Sequence, residues 1–152
     1  WLPGNQSINT FTGFLKPDPE ITLTIPSATD KAISVGAYDT STDKVATFSG
    51  RGFTRENNQI KPDIVAPGVN IRSAATGGGT TVLSGTSMAT PFVTGSAALM
   101  MEWGIVRGND PYLYGEKIKA YLIRGAKHLP GYEQWPNKQA GWGALCLRDS
   151  LV

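Results

Sequence analysis

Apolar and polar residues alternate through Ile21-Thr22-Leu23-Thr24-Ile25, which predicts a half-buried strand, and Ala32 to Tyr38 predicts a more deeply buried one. Pro26 separates the two. Short runs at Val45 to Phe48, Asp63 to Val65, Val69 to Arg72 and Thr81 to Leu83, punctuated by Gly and Pro, predict further strands. From Met88 to Trp103 the apolar positions are not confined to one stripe, which predicts a buried central helix, with Gly104 as its stop. Its small residues Ala89, Gly95, Ser96, Ala97 and Ala98 would let neighbouring elements approach closely, and Met88, Met100 and Met101 read as core filler. A second helix is marked by Asp110 as N-cap, Pro111 at the first position, an apolar face of Tyr114, Ile118, Tyr121 and Leu122, and Gly125 at its end. Lys117 and Lys119 would form its solvated face, and Arg124 would complement the helix dipole. Strands alternating with helices define an α/β domain.

The candidate chemistry sits where a glycine-rich loop enters the long helix. Gly77, Gly78 and Gly79 precede Gly85-Thr86-Ser87-Met88-Ala89-Thr90-Pro91, and glycine tolerates backbone angles that a Cβ forbids, so such a loop can lie close to a substrate. Pro91 is expected in the helix's first turn. Ser87 would then lie beside N–H groups that lack intrahelical acceptors and carry the positive end of the dipole, a setting suited to an oxyanion. From the residues alone, Thr86 or Ser87 serves equally as an ordinary N-cap.

The string from Gly85 to Gly95 resembles the Gly-Thr-Ser-Met-Ala-x-Pro-x-Val-x-Gly motif of the subtilisin-like serine proteases. Ala32-Ile33-Ser34-Val35-Gly36-Ala37, Phe48-Ser49-Gly50-Arg51-Gly52 and Lys61-Pro62-Asp63-Ile64-Val65-Ala66-Pro67-Gly68 follow the order such proteases show, and Gly141-Trp142-Gly143-Ala144-Leu145 is similar to their closing strand. The resemblance implies an α/β, parallel-sheet, three-layer subtilisin-like fold, of which residues 1–152 form the C-terminal portion. Residues 1–20 would end an upstream insertion or connecting loop. It also implies that Ile25-Pro26 is a cis peptide.

By the same resemblance, Ser87 is the acyl-forming nucleophile and its own N–H an oxyanion donor, Gly85 and Thr86 shape the pocket wall, and Leu83 and Ser84 border the substrate channel. Phe92 replaces a histidine often found after this proline, a position that is not the catalytic base. Subtilisin-type triads run Asp, His, Ser, whereas the single histidine here, His128, follows the serine and reads as structural. The Asp and His would therefore lie upstream, and residues 1–152 alone would be inactive. Pro3-Gly4-Asn5 holds the Gly-Asn pair of an oxyanion asparagine, but its neighbours do not match, so Asn5 reads as a turn residue, and Asn5-Gln6-Ser7 fits a glycosylation sequon. The expected partners are a peptide or protein substrate and the N-terminal half of the domain. Without that half, an apolar sheet edge and face would be exposed, so the segment would oligomerise or require it.

Tyr114-Gly115-Glu116-Lys117-Ile118-Lys119-Ala120-Tyr121-Leu122, with Trp103-Gly104-Ile105-Val106 before it, is more similar to the Csp-type proteases of spore-forming bacteria. That implies a secreted or spore-envelope location. Two alternatives are carried: a pseudoprotease that binds or regulates a partner, and an α/β-hydrolase esterase, whose Ser, acid, His order fits Ser87, Asp110 and His128. Ala89 breaks the esterase's Gly-x-Ser-x-Gly elbow.

Charge adds little: 14 Lys and Arg against 12 Asp and Glu leave +2, with no basic cluster to track phosphates, so nucleic acid is not an expected partner. The stretch Phe92 to Trp103, interrupted by Thr94, Gly95, Ser96 and Glu102, is too short to span a bilayer. The sole cysteine, Cys146, lies in an apolar run and is expected to be buried; with one cysteine and one histidine, zinc is not expected. No cofactor is evident, and structural calcium would belong to the upstream part.

Overall fold

The computed structural model describes Gly13 and residues 15–151. Asn5, its sequon and most of the expected connecting loop lie outside the described residues. In chain order the elements are β1 (Val35–Asp39), β2 (Lys44–Val45), β3 (Gly52–Phe53), β4 (Ile60–Lys61), β5 (Ile64–Pro67), β6 (Ile71–Ala74), β7 (Thr80–Leu83), α1 (Thr86–Met101), a π turn (Glu102–Val106), α2 (Gly115–Arg124) and α3 (Leu147–Ser150).

The central sheet has the order β2-β1-β5, with β1 and β5 parallel and β2 antiparallel at the edge. Beyond β5, the expected closing strand Gly141 to Leu145 is reduced to one parallel bridge, in which the Val65 N–H donates to the Gly143 carbonyl and the Leu145 N–H to the Val65 carbonyl. Strand periodicity divides the core in two. Ile64 and Ala66 join Ala37, Ala89, Val93, Met100, Ile118 and Leu122 on the helical side, whereas Val65 joins Val45, Leu129, Ala140 and Ala144 on the other. Irregular chain from Leu129 to Ala144 thus covers the second face of the sheet.

Several local expectations shift for identifiable reasons. The alternating Ile21 to Ile25 segment is not a strand: the Thr22 N–H donates to the Arg51 carbonyl, but the Arg51 N–H returns to the Thr22 hydroxyl, so no backbone ladder forms. Ile25-Pro26 is cis, as the resemblance implies; Lys61-Pro62 and Trp135-Pro136 are cis as well. Helix α1 starts at Thr86, so Pro91 lies in its second turn and leaves the Ser87 carbonyl without its usual donor. Only one side of α1 is buried, through Ala89, Val93, Ser96 and Met100, while Phe92, Leu99 and Met101 face solvent. The described residues supply packing partners for that one side.

Gly104 does not stop the helix; it is buried in the π turn, where a Cβ would stand 2.9 Å from Leu113 Cδ2 and 3.1 Å from the Asp110 carbonyl. Helix α2 begins after an extended Tyr114 rather than at Asp110, whose carboxylate instead accepts hydrogen bonds from Lys117 Nζ at 2.6 Å and the Tyr121 hydroxyl at 2.9 Å. Gly125 ends that helix as expected. Cys146 is half-buried at the start of α3 rather than fully enclosed.

Candidate active site

Strands β6 and β7 form a hairpin whose turn carries Gly77, Gly78 and Gly79 at positive φ, and β7 leads through Ser84 and Gly85 into α1. That entry is pinned to the sheet in two steps: the Gly85 N–H donates to the Gly68 carbonyl at 2.8 Å, and the Gly68 N–H to the Tyr38 carbonyl at 3.0 Å. Gly68 is needed for space, since a Cβ there would lie 2.5 Å from the Ala37 Cβ. The Ser84 hydroxyl accepts the Asn70 N–H at 2.9 Å, which ties the end of β7 to the start of β6, while Leu83 is half exposed.

Ser87 is exposed in the first turn of α1, and Gly85 provides no side-chain cap. Carbonyl bonding within α1 begins with Gly85 accepting from Met88 and Ala89, so the first N–H groups stay available to a ligand. Thr86, one residue earlier, lines a cavity of about 390 Å³ together with Ser27, Ser34, Gly36, Ser49 and Arg51. Its lining is rich in hydroxyls, and three of them are already committed: Ser49 Oγ accepts the Ala37 N–H at 3.0 Å, and the Ser27 and Ser34 hydroxyls bond each other. The free N–H groups and the exposed hydroxyl therefore lie beside a recess able to hold a side chain.

The other candidate residues fall elsewhere. His128 is exposed and stacked on Trp135, with ring centroids 4.4 Å apart, and Asp110 is held by Lys117 and Tyr121, so Ser87, Asp110 and His128 form no hydrogen-bonded relay among the described residues. The described residues also contain no group of three or more His, Cys, Asp or Glu able to hold a metal ion.

Sequence reasoning missed a charged cluster behind the cavity. Lys61 is 1% exposed; its ammonium donates to Asp63 Oδ2 at 2.8 Å and to the Thr29 and Ala32 carbonyls at 3.1 and 3.2 Å. Burial pushes its pKa down, opposed by the neighbouring Asp63 carboxylate. Lys119 is not on a solvated face: its ammonium bonds Asp63 Oδ1 at 2.9 Å and the Asp30 and Ala32 carbonyls at 2.8 and 3.2 Å. The available signal was Lys61-Pro62-Asp63 running directly into the apolar Ile64-Val65-Ala66, since charges adjoining a buried strand need partners.

Comparison with known proteins gives the site its context. Residues 3–143 match the model of the Subtilase family. The chain is 36% identical to the serine protease AprX of Bacillus subtilis (strain 168), over 89% of this chain and 33% of that protein. Among solved structures, the Clostridium perfringens CspB protease superposes with a TM-score of 0.87 at 50% identity, covering 91% of this chain and 30% of that one. The prenylagaramide maturation protease PagA gives 0.71 at 33% identity, over 88% and 46%. The chain thus spans about a third of the length of AprX and of CspB, and a subtilisin-like fold, with a Csp-type protease among its relatives, accounts for its parallel β1–β5 pair and the helix entered at Thr86. On the family match across residues 3–143, the chain belongs to the subtilase family of serine proteases.

Proposed function

We propose that this chain carries Ser87 as the nucleophile of a serine-type endopeptidase whose aspartate and histidine lie upstream. The carrying observation is the juxtaposition of the exposed Ser87 hydroxyl, the uncapped start of α1 and the Thr86-lined cavity. In this reading the hydroxyl oxygen attacks the scissile carbonyl while the upstream histidine takes its proton, and the Ser87 N–H stabilises the oxyanion. Gly85 and Thr86 shape the pocket wall and let the acyl chain lie close, and Leu83 and Ser84 border the substrate channel. Residues 1–152 alone are then inactive, because a serine hydroxyl without a base stays protonated. The exposed outer side of α1, with Phe92 and Leu99, is where the remainder of the domain would pack.

The test is labelling with a fluorophosphonate probe in the longest native product containing this chain, with Ser87→Ala as control. Labelling that the substitution abolishes, with peptide hydrolysis falling by about five to six orders of magnitude, is expected. A folded product that resists the probe would favour a pseudoprotease that binds a partner.

A further inference from the structure

The segment Ser27 to Ser34 has no strand pairing, yet it forms part of two cavities. Ser27 and Ser34 line the recess beside Thr86, and Ala28, Thr29 and Asp30 line a second cavity of about 650 Å³ bounded by Phe53 and Asn57. A wall without a ladder must find other partners for its backbone. Here they are the two lysine ammonium groups. Each has three protons and three oxygen acceptors: Thr29, Ala32 and Asp63 for Lys61, and Asp30, Ala32 and Asp63 for Lys119. Asp63 also accepts the Ser34 N–H at 2.7 Å and returns its own N–H to the Ser34 carbonyl at 2.8 Å.

Two cations on one buried carboxylate are a costly way to hold a strand, which apolar packing would do as well. What apolar side chains could not supply is donors for the carbonyls of Thr29, Asp30 and Ala32. Lys119 reaches those of Asp30 and Ala32 from α2, next to the buried Ile118, so the wall is tied to that helix as well as, through the Ile64 N–H on the Ser34 carbonyl, to β5.

We propose that Lys61 and Lys119, held on Asp63, are positioning residues for substrate selection: they fix the Ser27 to Ser34 wall, and α2 through Lys119 sets the width of the recess beside Thr86. This rests on reading Ser87 as the nucleophile and the recess as the seat of a substrate side chain.

The test uses Lys119→Met, which keeps the aliphatic stem but removes the ammonium, Lys119→Arg, which restores donors, and Lys127→Met as a control at an exposed pair with Asp149, outside the wall. All are made in the longest native product. Amide hydrogen exchange is followed over residues 27–34, and kcat and KM over peptides differing in the side chain at the cleaved residue. Binding of the same peptides to Ser87→Ala versions is measured by fluorescence polarisation. Lys119→Met should raise exchange in the segment about tenfold and shift the kcat/KM ratio between small and bulky substrates about tenfold, through KM, the scale set by one methylene in a pocket. Lys119→Arg should largely restore both, and Lys127→Met should change neither. Unchanged exchange, faster exchange with unchanged selectivity, or failure to bind any peptide would overturn the proposal. If Ser87→Ala leaves hydrolysis intact, the assignment of the nucleophile fails, while exchange and binding still decide the role of the wall.

Discussion

Around β5, Ile64, Val65 and Ala66 are fully buried, and even the charges of Lys61 and Asp63 are withdrawn from water; by contrast every residue of β7 is exposed and the outer side of α1 presents Phe92 and Leu99 to solvent. Both regions are apolar in sequence. The difference is one of partners: β5 lies between β1 and Ala144 and has packed chain on both faces, whereas among the described residues the strands of the β6–β7 hairpin pair only with each other. Ser87 stands at the seam, anchored to the closed region through Gly85 and Gly68 and facing the open one. A residue placed this way is held from behind and left accessible in front, as the proposed nucleophile requires.

The sharpest way to break this contrast is within the closed region. Asp63→Asn keeps the shape but leaves the ammonium groups of Lys61 and Lys119 without a carboxylate, and breaking a buried pair in this way costs about 3–5 kcal/mol. The denaturant midpoint of the longest native product should fall accordingly. A loss of less than about 1 kcal/mol would mean that the cluster is hydrated or rearranges.

The next test compares the two sides of α1. Met100→Ala removes a fully buried side chain and should cost about 2–5 kcal/mol. Leu99 is 53% exposed, and as a surface residue its truncation would cost no more than about 0.5 kcal/mol. If the rest of the domain covers this side, as proposed, Leu99→Ala in the longest native product should approach the cost of Met100→Ala. A near-neutral result would remove the proposed covering.

The same division explains what was legible in the sequence. Elements whose partners are near in the chain or whose pattern is strong were read to within a few residues: the helix expected from Met88 runs from Thr86, and the strand expected at Thr81 to Leu83 is Thr80–Leu83. Reading failed where a distant group decided the outcome. Ile21 to Ile25 has a strand's alternation, but the Thr22 hydroxyl takes the bond that a ladder needs. Asp110 has an N-cap's identity, but Lys117 and Tyr121 claim its carboxylate. Lys119 has a surface residue's identity, but Asp63 lies within reach across the fold. For the site, local glycine and proline spacing located the entry to α1, while the cavity walls at Ser27, Ser34 and Ser49 come from chain far from Ser87 and leave no local pattern.

A smaller effect is expected where the two regions join. Gly68→Ala would drive a Cβ into Ala37 and to 3.0 Å from the Gly85 carbonyl, so the backbone must shift, at about 1–3 kcal/mol. Because Gly85 hangs on the Gly68 carbonyl, fluorophosphonate labelling of Ser87 should slow as well. Lost stability with an unchanged labelling rate would mean that Gly85 holds its position without Gly68.

The smallest effect is one of sign. Burial lowers the pKa of Lys61, so below the unfolded value of about 10.4 the unfolded chain binds more protons at this residue than the folded one, and stability rises as pH climbs towards that value. Lys117 is the reverse: its hydrogen bond to Asp110 raises its pKa, so its contribution is fully present below about 10.4 and is lost as pH rises through the higher folded value. Asp110, its carboxyl lowered first by Lys117, sets the acid limit of that pair: its contribution is present above about 3.9 and is lost as pH falls through the lower folded value. Denaturant midpoints from pH 8 to 11 for the wild type, Lys61→Met and Lys117→Met give two difference profiles. The Lys61 difference should rise and level off, and the Lys117 difference should stay flat and then fall. Two profiles falling together would place the Lys61 ammonium in contact with water and erase the distinction between the closed cluster and an ordinary peripheral pair.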